Sequence, residues 1–224
     1  MILSEDLLLL LTDDGSGRTM ESGERLAFVL AGGVLTDLLL AGRVAVAAPG
    51  ESVRAGRLVV RDATPVGDPV LDEGLRRLAS TTPKKPQSAL GPLRSGLLDE
   101  LRARLVARGI LRVEQGKVLG IFPRTSWPAE DSSHEAGLRQ RLRDVLVDGR
   151  HPDPREAALI ALLHSVNQVP VVMGDVGVSV RDLRARSSAI AHQHIGAEAV
   201  RRAITAYENN SVADGFGVFV TGVS

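Results

Sequence analysis

The spacing of apolar and polar residues along the chain predicts many helices and little sheet. In several segments apolar residues recur every three to four positions, which is the periodicity of a helix with one buried face. A first short helix is capped by Ser4, and the second contains the pair Gly32-Gly33, which predicts close packing of another backbone. After the first helix, the predicted helices cover about residues 22–40, 70–81, 93–108, 132–147, 154–166, 181–192 and 197–207.

Short β-hairpins and loops are predicted between these helices. Residues 43–48 and 56–63 alternate between apolar and polar side chains on either side of Pro49-Gly50, which predicts two paired strands. Residues 82–92 contain three prolines, and we expect them to form a loop because proline interrupts regular hydrogen bonding.

A further hairpin is predicted within residues 105–128, LVARGILRVEQGKVLGIFPRTSWP. The pattern predicts a helix that ends at Arg108-Gly109 and a hairpin that turns at Gln115-Gly116. If this hairpin is a structural corner, its apolar residues should hold it to the core. Those residues are Ile110, Leu111, Val118 and Ile121.

Length and composition favour a single domain. The chain has 224 residues, of which 44% are apolar, so it is long enough to bury a full core. No long Gly/Ser or Pro tract divides it. We therefore expect a mainly α, single globular domain with short β-hairpins, ordered over about residues 1–208 and followed by a C-terminal tail at 209–224.

Charge and cysteine content narrow the classes of function. The formal charge is zero, so nucleic acid or anionic lipid could be bound only through a local patch. The chain has no cysteine, which excludes disulfides and thiolate chemistry and favours an intracellular protein. Of its 27 basic residues only Lys84, Lys85 and Lys117 are lysine, a bias that indicates a GC-rich bacterial genome. The apolar run Leu7–Leu11 is far shorter than the ~20 residues of a membrane span, so we expect a soluble or peripheral protein.

The polar residues form no pattern that a catalytic or metal site requires. His192 and His194 lie two positions apart, on different faces of a helix, and the chain has no HExxH motif. Asp68, Asp72 and Glu73 form an acidic group, but acidic residues are favoured wherever a helix begins. We therefore expect no catalytic residue, no metal and no cofactor.

The basic residues near the predicted hairpin leave a DNA-binding alternative open. A winged-helix regulator would use residues 97–111 as its recognition helix and 112–122 as its wing. The basic residues of this region are Arg102, Arg104, Arg108, Arg112, Lys117 and Arg124. Acidic Asp99 and Glu114 are interleaved, which favours a solvated helix face. A basic patch alone does not distinguish the phosphates of DNA from those of lipid head groups.

Five segments, in their order along the chain, resemble the Golgi phosphoprotein 3 family and its bacterial relatives. These segments are LSEDLLLLLTDD, LAGGVLTDLLLAGRVAV, DATPVGDPVLDE, LVARGILRVEQGKVLGIFP and PDPREAALIALLHSV. The resemblance extends to about Ala191. It implies a single, mostly α-helical domain without enzymatic activity, since eukaryotic members bind phosphatidylinositol 4-phosphate and recruit Golgi glycosyltransferases as adaptors.

The resemblance also implies where a lipid head group would bind. The eukaryotic pocket uses a tryptophan before the second helix, an arginine within it, and two basic residues near the helix that leads to LVARGIL. At these positions this chain has Ser22, Ala31, Ser95 and Leu98. Arg25, Arg94 and Arg102 lie within a turn of them and are our candidate head-group ligands. We expect phosphatidylinositol 4-phosphate to bind no better than other anionic lipids of equal charge.

A second family feature is an apolar hairpin between late helices that mediates self-association and touches the bilayer. Residues 169–180, VPVVMGDVGVSV, occupy that place. Their alternating valines and the turn at Gly174-Asp175 predict an exposed β-hairpin. The alternative is a hairpin packed against the core. The residues expected to make the membrane or self-association contact are Val171, Val172 and Met173.

The residues and the resemblance together predict a non-enzymatic, peripheral membrane adaptor. Its expected partners are an anionic phospholipid or phosphoinositide head group, a client protein and a second copy of the chain. Nucleic acid is not an expected partner. We expect the protein in the cytoplasm, attached peripherally to the inner face of the cell membrane. The alternative from another class is the winged-helix-like DNA-binding regulator.

Overall fold

Two apolar helices, α1 (Leu3–Leu10) and α2 (Gly23–Leu40), lie at the centre of the fold. Every residue of α1 is buried, as its run of leucines requires. A Cβ added to Gly33 would lie only 2.9 Å from the backbone nitrogen of Ser4. The close backbone packing predicted from the Gly32-Gly33 pair is therefore confirmed.

The computed structural model describes residues 1–21, 23–118, 122–199, 201–202 and 204–205, with only the backbone at 117–118 and 122–124. After α2 the elements are β1 (Val44–Val46), β2 (Leu58–Val60), α3 (Pro69–Ala79), α4 (Pro86–Arg94), α5 (Leu97–Ala107), β3 (Glu114–Val118), β4 (Phe122–Ser126), α6 (Ser133–Leu146), α7 (Pro154–Ser165), α8 (Val169–Met173) and α9 (Val180–Ala191). The prediction of a mainly α domain with short hairpins is confirmed. The predicted tail at 209–224 lies outside the described residues.

The two hairpins form separate antiparallel sheets. In the first, Val44 pairs with Val60 and Val46 with Leu58, which confirms the strands predicted from the alternating pattern. Val44 and Leu58 are buried. This hairpin therefore packs one face against the helices.

Ser4 does not cap the first helix, as the sequence suggested. The helix begins one residue earlier, after Ile2, and the carboxylate of Glu5 accepts a hydrogen bond of 3.0 Å from the backbone nitrogen of Ile2. The Ser4 hydroxyl instead donates to the carbonyl of Leu30 on α2, at 2.8 Å. A serine inside a buried helix thus satisfies its hydroxyl on the neighbouring helix.

The proline-rich segment 82–92 is not a loop, and the long helix predicted at 93–108 is divided. Pro86 occupies the first turn of α4, where the missing N–H costs nothing. Helix α4 ends at Arg94, and Gly96 then adopts a φ of +71° before α5 begins. Only a residue without a Cβ adopts this conformation at little cost, so Gly96 separates the two helices.

The second hairpin also turns at a different place from the one predicted. Gln115 and Gly116 lie inside β3, where Gln115 pairs with Thr125, and the connection runs through residues 119–121, outside the described part. Leu111 is 4% exposed and Ile110 packs against the core, so the prediction that these two residues anchor the hairpin is confirmed. The side chains of Val118 and Ile121 lie outside the described residues.

The valine-rich segment 169–180 is not a β-hairpin. Residues 169–173 form the short helix α8, and α9 begins at Val180 after a connection that contains Gly174. The physical reason is that Val169 and Val172, three positions apart, are both buried, which is helical spacing. Pro170 favours the same outcome because its φ suits the first turn of a helix.

Candidate functional site

Arg25 lies in the first turns of α2 and fixes the start of this helix to the end of α7. Its guanidinium is 3.3 Å from the carboxylate of Glu21. It also donates to the carbonyl of Val166, which follows α7, at 3.4 Å. About one third of its side chain is exposed. Arg25 is therefore accessible at the surface even though it has partners within the chain.

Arg94 reaches the same end of α2 from the last residue of α4. It forms an ion pair with Glu24, and its guanidinium carbon lies 4.9 Å from the centroid of the Phe28 ring. Glu24 and Phe28 are four residues apart and so lie on one face of α2. Arg25 and Arg94 therefore both lie at the first turns of α2, Arg25 as a residue of the helix and Arg94 through its contacts with Glu24 and Phe28.

Arg102 on α5 occupies a different position, over the only tryptophan of the chain. Its guanidinium carbon lies 3.7 Å from the centroid of the Trp127 ring, a cation–π contact. Burial lowers the pKa of Arg102, and nearby Asp99 raises it in part.

Trp127 follows the second hairpin in sequence but lies against the loop that leads to α2. Its backbone nitrogen donates to the carbonyl of Gly17 at 3.4 Å. Gly17 has a φ of +62°, and a Cβ there would lie 2.3 Å from the backbone nitrogen of Pro128. Only glycine permits this approach. A tryptophan is therefore present beside the loop before the second helix, which sequence position alone does not reveal.

The four positions where the related pocket has its aromatic and basic residues have different structural roles here. Ala31 is fully buried within α2, so it faces the core. Ser95 ends α4 and Leu98 is partly buried in α5, while Ser22 lies outside the described residues. A head-group site in this chain would therefore depend on the neighbouring arginines.

A buried charged cluster lies elsewhere, around helix α1. Asp6 and Asp37 are 2% and 7% exposed, and Arg155 donates to both carboxylates at 2.8 and 3.0 Å. Burial raises the pKa of Asp37, whereas bonds from Leu3 and Arg155 lower it in part. The sequence analysis did not identify this cluster, because acidic residues at the start of a helix are explained equally well by the helix dipole. The signal that could have found it is two consecutive carboxylates inside an otherwise apolar helix.

The basic residues of the DNA-binding alternative are largely bound within the chain. Arg104 forms two hydrogen bonds with Asp68, at 2.8 and 2.7 Å, and lies 3.1 Å from the buried carboxylate of Glu5. Arg108 pairs with Glu5 as well, at 3.3 Å. These arginines therefore stabilise the contact of α5 with α1 and α3 and do not form a free recognition face.

The acidic group at the start of α3 has structural partners. Asp68 caps α3 by accepting from the backbone nitrogens of Val70 and Leu71, and Asp72 accepts from the backbone nitrogen of Val66. Glu73 binds Arg76 and Arg77 on its own helix. These three carboxylates face different partners and do not form one site.

The histidines likewise have separate positions. His164 contacts the hydroxyl of buried Ser187 at 2.9 Å, and burial lowers its pKa. His134 contacts Asp6 at 2.8 Å. Within the described residues no group of three metal-ligating side chains stands close enough together to hold an ion.

The three residues expected to touch a bilayer or a second copy differ in exposure. The side chain of Val171 is 55% exposed, whereas Val172 is 2% exposed and Met173 is partly buried. Val180 at the start of α9 is also exposed, at 52%. Val171 and the exposed part of Met173 could contact a surface with α8 intact, whereas Val172 could not.

Comparison with known proteins identifies the relatives of this fold. Residues 3–207 match the family Golgi phosphoprotein 3 (GPP34). The chain belongs to the Golgi phosphoprotein 3 family. It is 26% identical over 213 residues to the vacuolar protein sorting-associated protein 74 of Eremothecium gossypii, covering 81% of this chain and 64% of that protein. The chain thus spans somewhat less than two thirds of this relative.

The residues that match the family include the helices on which the candidate head-group ligands lie. The match extends from the first residue of α1 beyond the end of α9, so Arg25, Arg94 and Arg102 all lie within the Golgi phosphoprotein 3 region. None of the helices in the described part of the chain is both long and apolar enough to cross a bilayer.

Proposed function

We propose that this Golgi phosphoprotein 3 family member is a non-enzymatic, peripheral membrane adaptor that binds anionic phospholipid head groups. The head-group site is at the start of α2, where Arg25 and Arg94 are the ligands. Arg102, stacked on Trp127, is a third contact at the membrane surface. A cytoplasmic protein attached to the inner face of the cell membrane fits this proposal.

The observation that supports the proposal is that Arg25 and Arg94 both lie at the first turns of α2, each with about one third of its side chain exposed. Arg94 and its partner Glu24 are each about one third exposed, and an ion pair in such a position contributes only ~0–1 kcal/mol. A phosphate group carries more charge than a carboxylate and binds guanidinium in a forked geometry. It can therefore displace Glu24, and the N-terminal end of α2 adds a favourable dipole.

The lipid selectivity expected at this site is low. Family members that select phosphatidylinositol 4-phosphate use residues that are replaced here by Ser22, Ala31, Ser95 and Leu98. Two arginines at a helix start supply charge but no contacts to a particular sugar. We therefore propose binding governed by surface charge, with phosphatidylinositol 4-phosphate as one ligand among several anionic lipids.

The adaptor role requires a second contact, to a client protein or to another copy of this chain. Val171 and Val180 are exposed apolar residues at the two ends of the α8–α9 connection. We propose that Val171, with Met173 partly buried beside it, supports self-association or contact with the bilayer.

Vesicle flotation with paired charge variants tests the head-group site. Arg25→Glu combined with Arg94→Glu should lower the fraction bound to anionic vesicles by about tenfold, because two attractive charges become repulsive. Arg184→Glu is the matched control, since Arg184 is exposed on α9 and far in sequence from the site. Equal binding of the double variant and the control would place the lipid contact elsewhere on the protein.

A further inference from the structure

The edge of strand β2 that faces away from β1 has unpaired backbone groups within the described part of the chain. The backbone nitrogen of Ala47 donates to the carbonyl of Arg57, and that of Arg61 donates to the carbonyl of Arg43, both at 2.8 Å. In an antiparallel pair, the backbone N–H and C=O groups of successive residues in a strand point alternately toward the partner strand and away from it. Val59 therefore faces β1, whereas the backbone groups of Leu58 and Val60 point away from it.

One of these outward groups is already bonded to the segment that precedes α4. The backbone nitrogen of Leu58 donates to the carbonyl of Lys84 at 2.7 Å. The Leu58 carbonyl and both the N–H and the carbonyl of Val60 have no hydrogen-bond partner within the described part of the chain. Lys84 thus pairs with only the first of the outward backbone groups of β2, and those that follow it are unpaired within the described residues.

This edge forms one wall of a cleft of about 430 Å³. Apolar side chains of Leu58, Leu78 and Ala89 lie along it. At its rim the carboxylate of Glu51 is bound to Arg61 at 2.6 Å. Lys84 also lines the cleft and has no ion-pair partner among the residues that the structure describes. With Glu51 paired to Arg61, the charged residues that line the cleft therefore have a net positive charge.

We propose that this cleft binds an extended, acidic peptide segment of a partner protein as an added strand on β2. The unpaired backbone groups of a strand can form hydrogen bonds with the backbone of an extended peptide. Addition of a peptide as a further strand at a sheet edge is a known mode of peptide recognition. The side chains of the added strand alternate between the apolar wall and the rim, where a carboxylate meets Lys84. The inference rests on the adaptor part of the proposed function, since it names the class of client.

A lipid-free peptide assay separates this inference from membrane binding. The probe is a short capped peptide in which valine and glutamate alternate, labelled for fluorescence anisotropy, with the full-length chain as receptor. Binding should perturb the amide resonance of Val60 in NMR spectra. Lys84→Glu should weaken binding by about tenfold or more through charge repulsion. Lys85→Glu is the matched control because Lys85 lines a different cleft, and it should change the affinity by less than about twofold.

Backbone pairing has its own test, independent of charge. Val60→Pro removes an outward N–H from an edge strand, which sheets tolerate, and it should abolish binding while the melting temperature stays near that of the wild type. If Val60→Pro unfolds the chain, N-methylation of the central peptide valines gives the same test on the ligand, with the same loss expected.

Three results would overturn the inference. The first is binding that does not distinguish Lys84→Glu from Lys85→Glu, and the second is equal affinity for a peptide with lysine in place of glutamate. The third is a Val60 amide that becomes exposed to exchange only after deletion of residues 206–224, which would make the chain's own C-terminal residues the occupant. Absence of flotation on anionic vesicles would contradict the lipid function alone and leave these readouts unchanged.

Discussion

Arg104 and Asp68 are joined by two hydrogen bonds of 2.8 and 2.7 Å, which connect α5 to the start of α3. Asp68 also caps α3, so one carboxylate supports both the helix and the contact between helices. The bond from Arg104 holds the pKa of Asp68 below its ordinary value of 3.8. Its stabilising contribution is therefore complete above pH 3.8 and is lost as the pH falls through the lowered pKa.

Asp68→Ala should destabilise the protein by about 1–3 kcal/mol, because it removes the cap and leaves Arg104 with Glu5 alone. Urea denaturation at pH 7 measures this loss. Glu73→Ala is the control, since its ion pairs with Arg76 and Arg77 are on the surface, and it should leave the midpoint nearly unchanged. Equal midpoints for both variants would contradict the role assigned to Asp68.

Gly33→Ala should destabilise the protein by about 1–3 kcal/mol, since the added methyl group would push α1 away from α2. Gly137→Ala in α6 makes the opposite prediction. A Cβ at Gly137 meets only the flexible side chain of Arg141, at 3.7 Å, so alanine there should stabilise by about 0.5–1 kcal/mol. Thermal melts of the two variants compare them directly, and a neutral Gly33→Ala would show that α1 can shift at no cost.

Glu135 should make the protein less stable as the pH rises. Burial, followed by a hydrogen bond with Asp14, raises the pKa of Glu135 to about 7, although Arg139 opposes this shift. The folded protein therefore holds this proton more tightly than the unfolded chain does. Stability is favoured below the ordinary value of 4.5 and declines as the pH rises through about 7.

Glu135→Gln tests this pH dependence. Relative to the wild type, the variant should gain stability between pH 5 and pH 8 in urea titrations. Glu156→Gln is a suitable comparison, because bonds from Arg150 lower the pKa of Glu156 and its own transition lies below this window. A constant difference between Glu135→Gln and the wild type across the window would show that Glu135 is ionised throughout.

Val171→Asp should lower the apparent mass in solution, or the fraction bound to vesicles, without loss of helix content. The reason is that Val171 is exposed while its neighbours in α8 anchor the helix. Val172→Asp should instead destabilise by about 3 kcal/mol or more, since it buries an unpaired charge. Circular dichroism and light scattering separate the two effects. If the wild-type protein is monomeric and does not bind vesicles, the proposed role of Val171 is wrong.

The helices with regular apolar spacing could be predicted from the sequence, whereas a helix that contains proline in its interior could not. Helix α7 begins after the cap Asp153, with Pro154 in its first turn. The apolar spacing and these two residues therefore predict the same helix start. In α4 the same residue type gives the wrong prediction. Pro86 occupies a first turn there too, but Pro92 lies inside the helix, and the three prolines of residues 82–92 predict a loop.

The candidate site could be predicted only in part, because its contacts join residues distant in sequence. The resemblance to the family indicates Arg25 and Arg94 separately. That Arg94 reaches the first turns of α2 follows from the packing of α4 against α2. The position of Trp127 beside the loop at Gly17 depends on the fold of two segments more than 100 residues apart, and no local pattern reports such a contact.

Vesicle flotation of the full-length protein at physiological salt tests the central claim most directly. The vesicles compared are neutral, anionic with phosphatidylserine, and anionic with phosphatidylinositol 4-phosphate at equal total charge. We expect the bound fraction to rise on both kinds of anionic vesicle to the same extent, and to fall as salt is added because charge governs the contact. Equal, low binding to all three kinds of vesicle would contradict the claim that this protein binds anionic membranes.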